Sequence, residues 1–369
     1  MSTDLAVFAA TSGHSGVDRV LGNLVPAIAR LGLRVDVLGV EGHGPTFDTL
    51  PDGVRHLPLG ARHVNPAIPA LVRYLRRERP EALLCDKDRV NRAALFARLL
   101  ARVPTRVGVR LGTTVSVNLA SRGAFERFVQ RASMRWIYPL ADAVLVPSAG
   151  AADDLAAYAG LPRERIHVVP SPIVTGRMRA RAQEALDHPW FAAGQPPVVL
   201  GVGELSERKD FATLLRAFAK LRAGLDCRLL ILGEGRRRGE LERLAAELGV
   251  AQDVALPGFC TNPYPYMAHA AVFALASRWE GMPVVLIEAL ALGTPSVACD
   301  CPSGPREVLD GGRHGPLVPV GDADALALAL RRQLDVPTPA ERSRAAVQGY
   351  TDEGSARAYL AALGFREFP

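Results

Sequence analysis

The sequence predicts an α/β protein built from two doubly wound, Rossmann-like domains. Three observations carry that expectation. Short, continuously apolar runs alternate with helical patterns, the alternation occurs twice along the chain, and a charged, proline-containing stretch without a strand pattern separates the two blocks. Runs that stay apolar throughout belong to parallel strands covered on both faces. A chain of 369 residues is also too long for one ordinary core and comfortable for two.

In order, "LAVFAAT" from Leu5 is the first strand, followed by the turn "SGHSG" and the helix "VDRVLGNLVPAIARLG". "RVDVLGV", "EALLCD", "RVGVRLG" and "DAVLVPS" continue the rhythm between Ala/Leu/Arg-rich helical segments. The second block reads "PPVVLGVG", helix "FATLLRAFAKLRAG", "RLLILG", helix "GELERLAAELGV", "DVALPGF", "VFALAS", helix "VVLIEALALG" and "PSVACD". The stretch "GRMRARAQEALDHPWFAAGQPP" lies at the join. The expected division is residues 1–180 for the first domain, 181–196 for a linker, 197–345 for the second domain and 346–369 for a C-terminal helix. That helix, "TDEGSARAYLAALGF", has Thr351 or Asp352 as its cap and is expected to pack back on the first domain.

Composition narrows the function classes. Hydrophobic residues make up 49% and charged residues 22%, which is globular rather than disordered. No apolar run approaches the ~18 residues needed to cross a bilayer. Asp4 stands where a secretory signal would carry positive charge, so the opening reads as a first strand of a cytoplasmic chain. Five scattered cysteines form no disulfide framework, and the Cys299/Cys301 pair lacks a second pair at zinc spacing. The formal charge is +6, and the excess is uneven. Between Arg102 and Arg135 seven arginines face the single acid Glu126. "SRGAFERFVQRASMRWIYPL" mixes those cations with Phe125, Phe128, Trp136 and Tyr138. Such a helix suits an anionic membrane surface, and equally a solvated helix with its rings in the core. Nucleic acid is not suggested, because no recognition motif accompanies the charge.

The stretch with the most chemistry is "SRWEGMPVVLIEALALGTPSVACDCPSGP", from Ser277. Glu288 interrupts an apolar run, where an unpaired carboxylate would cost several kcal/mol, so it must be solvated, paired or bound. "VFALAS" ends a strand, "RWEGMP" is the following loop, and a helix is expected to begin near Pro283. Ligands of doubly wound sheets bind at the carboxyl ends of strands, where helix N-termini offer free N–H groups. Glu280 in the loop and Glu288 just inside the helix could therefore accept hydrogen bonds from a polyhydroxylated ligand facing that crevice. Two glutamates alone would fit a solvated loop and a helix surface better; the context changes the balance.

"EGMPVVLIE" followed by "ALGTPSVACDCPSGPREVL" resembles the E-x7-E region of the retaining GT-B glycosyltransferases of the glycosyltransferase-4 group, also called group 1 glycosyltransferases. "VGELSERKDFATLLRAFAKL", "RLLILGEG", "LPGFCTNPYPYMAHAAVFALASRWEG" and "GPLVPVGDADALALAL" extend the resemblance over Val198 to Leu330. "GHSGVDRVLGNLVPAIARLGLRVDVL" and "ADAVLVPSAGAADDLAAYAGLPRERIHVVPSPIV" match more loosely. The resemblance implies GT-B architecture, two such domains facing across a cleft, with the acceptor on the first and the nucleotide-sugar on the second. It implies that Glu280 contacts the donor hexose, Glu288 the ribose hydroxyls and Lys209 the diphosphate. Relatives often carry an arginine where this chain has Glu204, and Arg208 is the candidate replacement. Gly16, Gly203, Gly235, Phe259 and Asn262, with Gly281, Met282, Pro283 and Val284 at the helix start, are the further donor-side candidates. His14, Lys87, Asp88, Asn91, Arg110 and Thr113 are the acceptor-side candidates; Arg110 and Thr113 stand where many relatives carry a histidine.

No dinucleotide-type G-x-G-x-x-G is present around Gly13 and Gly16, so no nicotinamide cofactor is expected. "LLCDKD" ends a strand in D-x-D, the kind of carboxylate pair that holds manganese, yet Lys87 lies between the acids, and no metal is expected. The leading expectation is a retaining, metal-independent transferase. It would use a UDP-hexose or UDP-N-acetylhexosamine, with a GDP-sugar as the alternative, and a glycan or polyprenyl-linked acceptor, peripheral to the inner membrane face. A same-fold sugar-nucleotide epimerase and a catalytically silent, membrane-associated nucleotide-sugar binder remain as other readings.

Overall fold

The computed structural model describes residues 3–11, 13, 16–45, 47, 49–120 and 122–366. The chain divides into two compact units: Met1–Ile173 with Tyr350–Pro369, and Val174–Gly349. The first contains β1 (Leu5–Ala9), α1 (Gly16–Arg30), β2 (Val35–Gly39), β3 (Val54–Pro58), α2 (Ile68–Glu78), β4 (Ala82–Asp86) and α3 (Asp88–Ala101). It continues with β5 (Arg106–Arg110), α4 (Val115–Leu119), α5 (Ala124–Ile137), β6 (Ala143–Val146), α6 (Ala149–Ala159) and β7 (Ile166–Val168). The second begins with α7 (Gly176–Arg181), β8 (Val198–Val202), α8 (Phe211–Arg222), β9 (Arg228–Leu232), α9 (Arg238–Glu247), β10 (Val254–Gly258) and α10 (Tyr264–His269). Then follow β11 (Val272–Leu275), α11 (Val284–Leu292), β12 (Ser296–Cys299), α12 (Pro305–Val308), β13 (Leu317–Val318), α13 (Ala323–Asp335) and α14 (Ala340–Ala345). The chain then returns to the first unit as α15 (Asp352–Ala362).

Both sheets are parallel throughout, as the continuous apolar strands require. Their orders among the described residues are β3-β2-β1-β4-β5-β6-β7 and β10-β9-β8-β11-β12-β13. Each order reverses beside its first strand, between β1 and β4 and between β8 and β11. The loops at the carboxyl ends of those pairs diverge and leave a crevice. Alternate residues of β1 feed opposite layers: Ala6 and Phe8 join one core, and Leu5, Val7 and Ala9 the other. The division falls after Ile173 and Gly349 rather than around 181–196. Residues expected as a linker instead belong to the second unit, where Asn262 Nδ2 donates to the Arg181 carbonyl at 3.0 Å and to Glu184 at 2.7 Å.

The C-terminal helix packs on the first unit, as its apolar face predicts. Thr351 caps α15 by accepting from the Gly354 amide at 3.2 Å. Its Tyr359, Leu360 and Leu363 join the core formed by Leu24, Val25 and Ile28 of α1. Close approach requires Gly108 in β5, because a Cβ there would stand 2.3 Å from Leu363 Cδ2. A buried polar link fixes the register. Arg110 pairs with Asp86 and donates through Nε to the Tyr359 hydroxyl at 2.7 Å. Replacing Arg110 by Met, which strands Asp86 as a buried charge, should destabilise the first unit by about 3–5 kcal/mol. Tyr359→Phe should cost about 1 kcal/mol. Denaturant titrations of both variants check that ordering.

Candidate functional site

The crevice between β8 and β11 gathers the strongest sequence candidates. Gly203 follows β8 and Gly233 follows β9, and their backbones touch: a Cβ on Gly233 would fall 1.9 Å from the Gly203 carbonyl oxygen. The Gly203 side is equally tight, since a Cβ there would lie 2.9 Å from Lys209 Cε. Gly235 sits against the backbone of Leu205. Side chains at these positions would force the two loops apart and release the lysine stem.

Lys209 is turned inward by its neighbour. Asp210 caps α8 from a left-handed conformation (φ 44°), accepts from the Thr213 hydroxyl at 2.8 Å and holds Arg278 at 3.0 Å. The buried Lys209 ammonium then donates to Glu280 Oε1 at 2.7 Å, and Arg208 donates to Glu280 Oε2 at 2.7 Å. Ser277 at the end of β11 donates to Oε1 at 2.8 Å. Burial alone would raise the Glu280 pKa, but Lys209 and Arg208 outweigh it and hold the carboxyl below its ordinary value. Burial lowers Lys209, against the pull of Glu280. Glu204 is exposed, while Arg208 reaches the same carboxylate as Lys209.

Gly281 and Met282 lead into α11, with Pro283 at its cap position and Val284 as its first residue. Ser303, after β12, donates to the Gly281 carbonyl at 3.0 Å and braces this helix start. Glu288 is the fifth residue of α11. The sequence suggested that it faces an open crevice; in the structure it is fully buried, and the Tyr264 hydroxyl donates to its Oε1 at 3.2 Å. The physical reason is α10, whose first residue lies over that position. The thiols of Cys299 and Cys301 are buried and pushed up to about 12. Among the described residues no group of three His, Cys, Asp or Glu side chains has metal-holding geometry.

Other candidates stand elsewhere. Phe259 is an exposed ring just past β10. Asn262 braces 181–184, so its amide serves the fold rather than standing open. In the first unit, Gly16 opens α1, Lys87 is exposed between β4 and α3, and Thr113 is exposed past β5. Asp88 accepts from Tyr138 at 3.0 Å and pairs with Arg92 at 3.0 Å, and burial raises its pKa. Asn91 and Arg110, expected on the acceptor side, are interior: Asn91 donates to the Arg110 carbonyl and to Tyr138, and Arg110 is spent on Asp86 and Tyr359. Buried polar groups need such partners, which is why these two turn inward. His14 lies outside the described residues. Ser277, Tyr264 and Ser303 went unread, although each sits within a quoted motif; lone hydroxyls carry no spacing signal.

Glu280→Gln leaves two cations without their carboxylate. At neutral pH this should cost about 3–5 kcal/mol of stability. Because the folded carboxyl titrates below its ordinary 4.5, the advantage of Glu280 is complete above that value and fades as pH falls through the folded pKa. Thermal melts of the two proteins from neutral to strongly acid pH should therefore converge.

Residues 196–335 match the family described as "Glycosyl transferases group 1", and residues 15–172 match the "Glycosyl transferase 4-like domain". The chain is 30% identical over 341 residues to the N-acetylgalactosamine-N,N'-diacetylbacillosaminyl-diphospho-undecaprenol 4-alpha-N-acetylgalactosaminyltransferase of Campylobacter jejuni, covering 90% of each chain. Among solved structures, the apo lipopolysaccharide outer core galactosyltransferase WaaB aligns with a TM-score of 0.72 at 19% identity, over 98% of this chain and 99% of that one. Anabaena HepE in complex with UDP aligns with a TM-score of 0.77 at 16% identity, over 98% and 99%. At such identities the structures speak for the fold, which is GT-B. Near full-length kinship at 30% identity speaks for descent, and the chain belongs to the group 1 glycosyltransferases.

Proposed function

We propose that this chain transfers a hexose or N-acetylhexosamine from a UDP-sugar to a glycan or polyprenyl-linked acceptor in cell-surface glycan synthesis. The transfer would retain the donor's α configuration without a metal, at the inner membrane face. One observation carries the reading: Glu280 sits between Lys209 and Arg208, beside the start of α11 and at the switch point of the second sheet. As the sugar departs, negative charge grows on the leaving diphosphate. Two cations and helix-end amides fixed there stabilise that charge more than the ground state. Arg208 would take the part that Glu204 cannot.

A diphosphate would compete with Glu280 for both cations. On binding it takes their charge, and the released Glu280 can accept from a sugar hydroxyl. In retaining transfer the C1–O bond to phosphate breaks and a C1–O bond to the acceptor forms on the same face. The acceptor's proton passes to the departing phosphate oxygen. This needs no separate side-chain base, consistent with Arg110 being interior. The name of the Campylobacter relative specifies an alpha linkage, an N-acetylhexosamine and an undecaprenol-linked acceptor, which supports each of those assignments.

A thermal-shift screen of UDP-, GDP- and ADP-sugars tests the donor. A ligand at a hundred times its Kd stabilises the folded form by about 2.7 kcal/mol, and the UDP-sugar should give the largest shift. Transfer to a lipid-linked acceptor should then survive EDTA and fall at least about a hundredfold in Glu280→Gln and in Lys209→Met. Near-normal turnover in both variants would overturn the assignment. Conversion of UDP-sugar without any acceptor would mark an epimerase, and absence of nucleotide release with a crude lipid acceptor would mark a silent binder.

A further inference from the structure

Helix α5 is amphipathic the wrong way round. Of its 14 residues, all among those described, Met134 alone is buried. Phe125, Phe128 and Trp136 are 80%, 69% and 73% exposed. Their spacing of i, i+3 and i+11, with exposed Val129 between, puts them on one stripe. The opposite side faces α6, where Arg131 lies over the Tyr158 ring and the Tyr158 hydroxyl donates to the Arg127 carbonyl. Exposed large apolar side chains occur singly on most surfaces, but three aromatics aligned on one helix mark an interaction face.

The charge around that face selects the partner. Arg122, Arg127, Arg131 and Arg135 are all exposed, against the one carboxylate of Glu126, which Arg122 approaches at 3.8 Å. The apolar surface continues beyond the helix: Phe96 of α3 and Ile137 at the end of α5 line a common hollow of about 620 Å³, with Arg89 and Arg92 on its wall. A protein interface would place its charges at matched points. Arg122 and Arg135, the latter over the Trp136 ring at 5.7 Å, flank the aromatic stripe, and cations beside exposed rings fit a broad anionic plane with an apolar interior.

We propose that the outer face of α5 docks on an anionic lipid bilayer, with Phe125, Phe128 and Trp136 entering the headgroup boundary and the arginines meeting lipid phosphates. This rests on the membrane-face part of the proposed function and names the surface that would meet the lipid; it does not depend on the transfer chemistry. The test is flotation of the full chain with phosphatidylcholine vesicles, with and without phosphatidylglycerol. Wild type should float with the anionic vesicles and be released by salt. Phe125→Ser/Phe128→Ser/Trp136→Ser should weaken binding by at least about tenfold while keeping its melting temperature. Arg122→Gln/Arg135→Gln should lose roughly fivefold per arginine removed. Glu280→Gln should float like wild type, which separates failure of this surface from failure of the catalytic reading. No flotation, flotation indifferent to both variants, or a wild-type dimer that the aromatic variant makes monomeric would each overturn the proposal.

Discussion

A carboxylate removed from water must be paid for, and Glu280 meets that demand with two cations and a hydroxyl. Much of the second unit's local geometry follows from the requirement. The lysine must come from the loop after β8 and the glutamate from the loop after β11, so the two strands must be neighbours at the sheet's reversal point. Lys209 must turn inward, which the left-handed Asp210 cap achieves, and its stem must pass over a position with no Cβ, which Gly203 supplies. The cluster keeps one positive charge in excess, two cations against one carboxylate, and both cations are held in place by the fold itself.

The first unit uses buried charge differently. Asp86 and Arg110 lie at the ends of adjacent strands, and their pairing, with the Tyr359 hydroxyl, joins the sheet to the C-terminal helix. A hydrogen-bonded link of this kind specifies register where apolar packing alone would tolerate sliding. It ties a segment that follows the second unit in sequence to the core of the first. This interior pair serves architecture, whereas on the outer face of α5 the aromatic rings turn toward solvent.

The two uses of charge explain where residue-by-residue expectation went astray. Arg110 and Asn91 fall at strand and helix ends, where ligand contacts are common, and the pattern looks the same whether such a group points into a crevice or into a core. Asn262 sits within a motif of the second unit, yet its amide holds the 181–184 segment. Glu288, set in an apolar run, needs a partner, and Tyr264 supplies it from "NPYPY", where a tyrosine announces no direction.

Sequence alone determined the α/β class, the two-block organisation, the parallel sheets and the central strands, because continuous apolar runs between helical periods have few other solutions. It also placed a helix start near Pro283 and a cap at Thr351 or Asp352, which are local chemistry; the structure selects Thr351. The strands β3, β7 and β13 carry no apolar run to announce them: β3 and β7 are edge strands with mostly solvent-facing residues, and β13 has two residues. Only the tertiary structure brought Lys209 and Glu280 together, 71 residues apart, since that contact depends on strand order and not on spacing. Only it decided that the aromatic stripe of α5 points outward. A helical period records that a face exists, whereas which neighbour covers it is fixed by packing at long range.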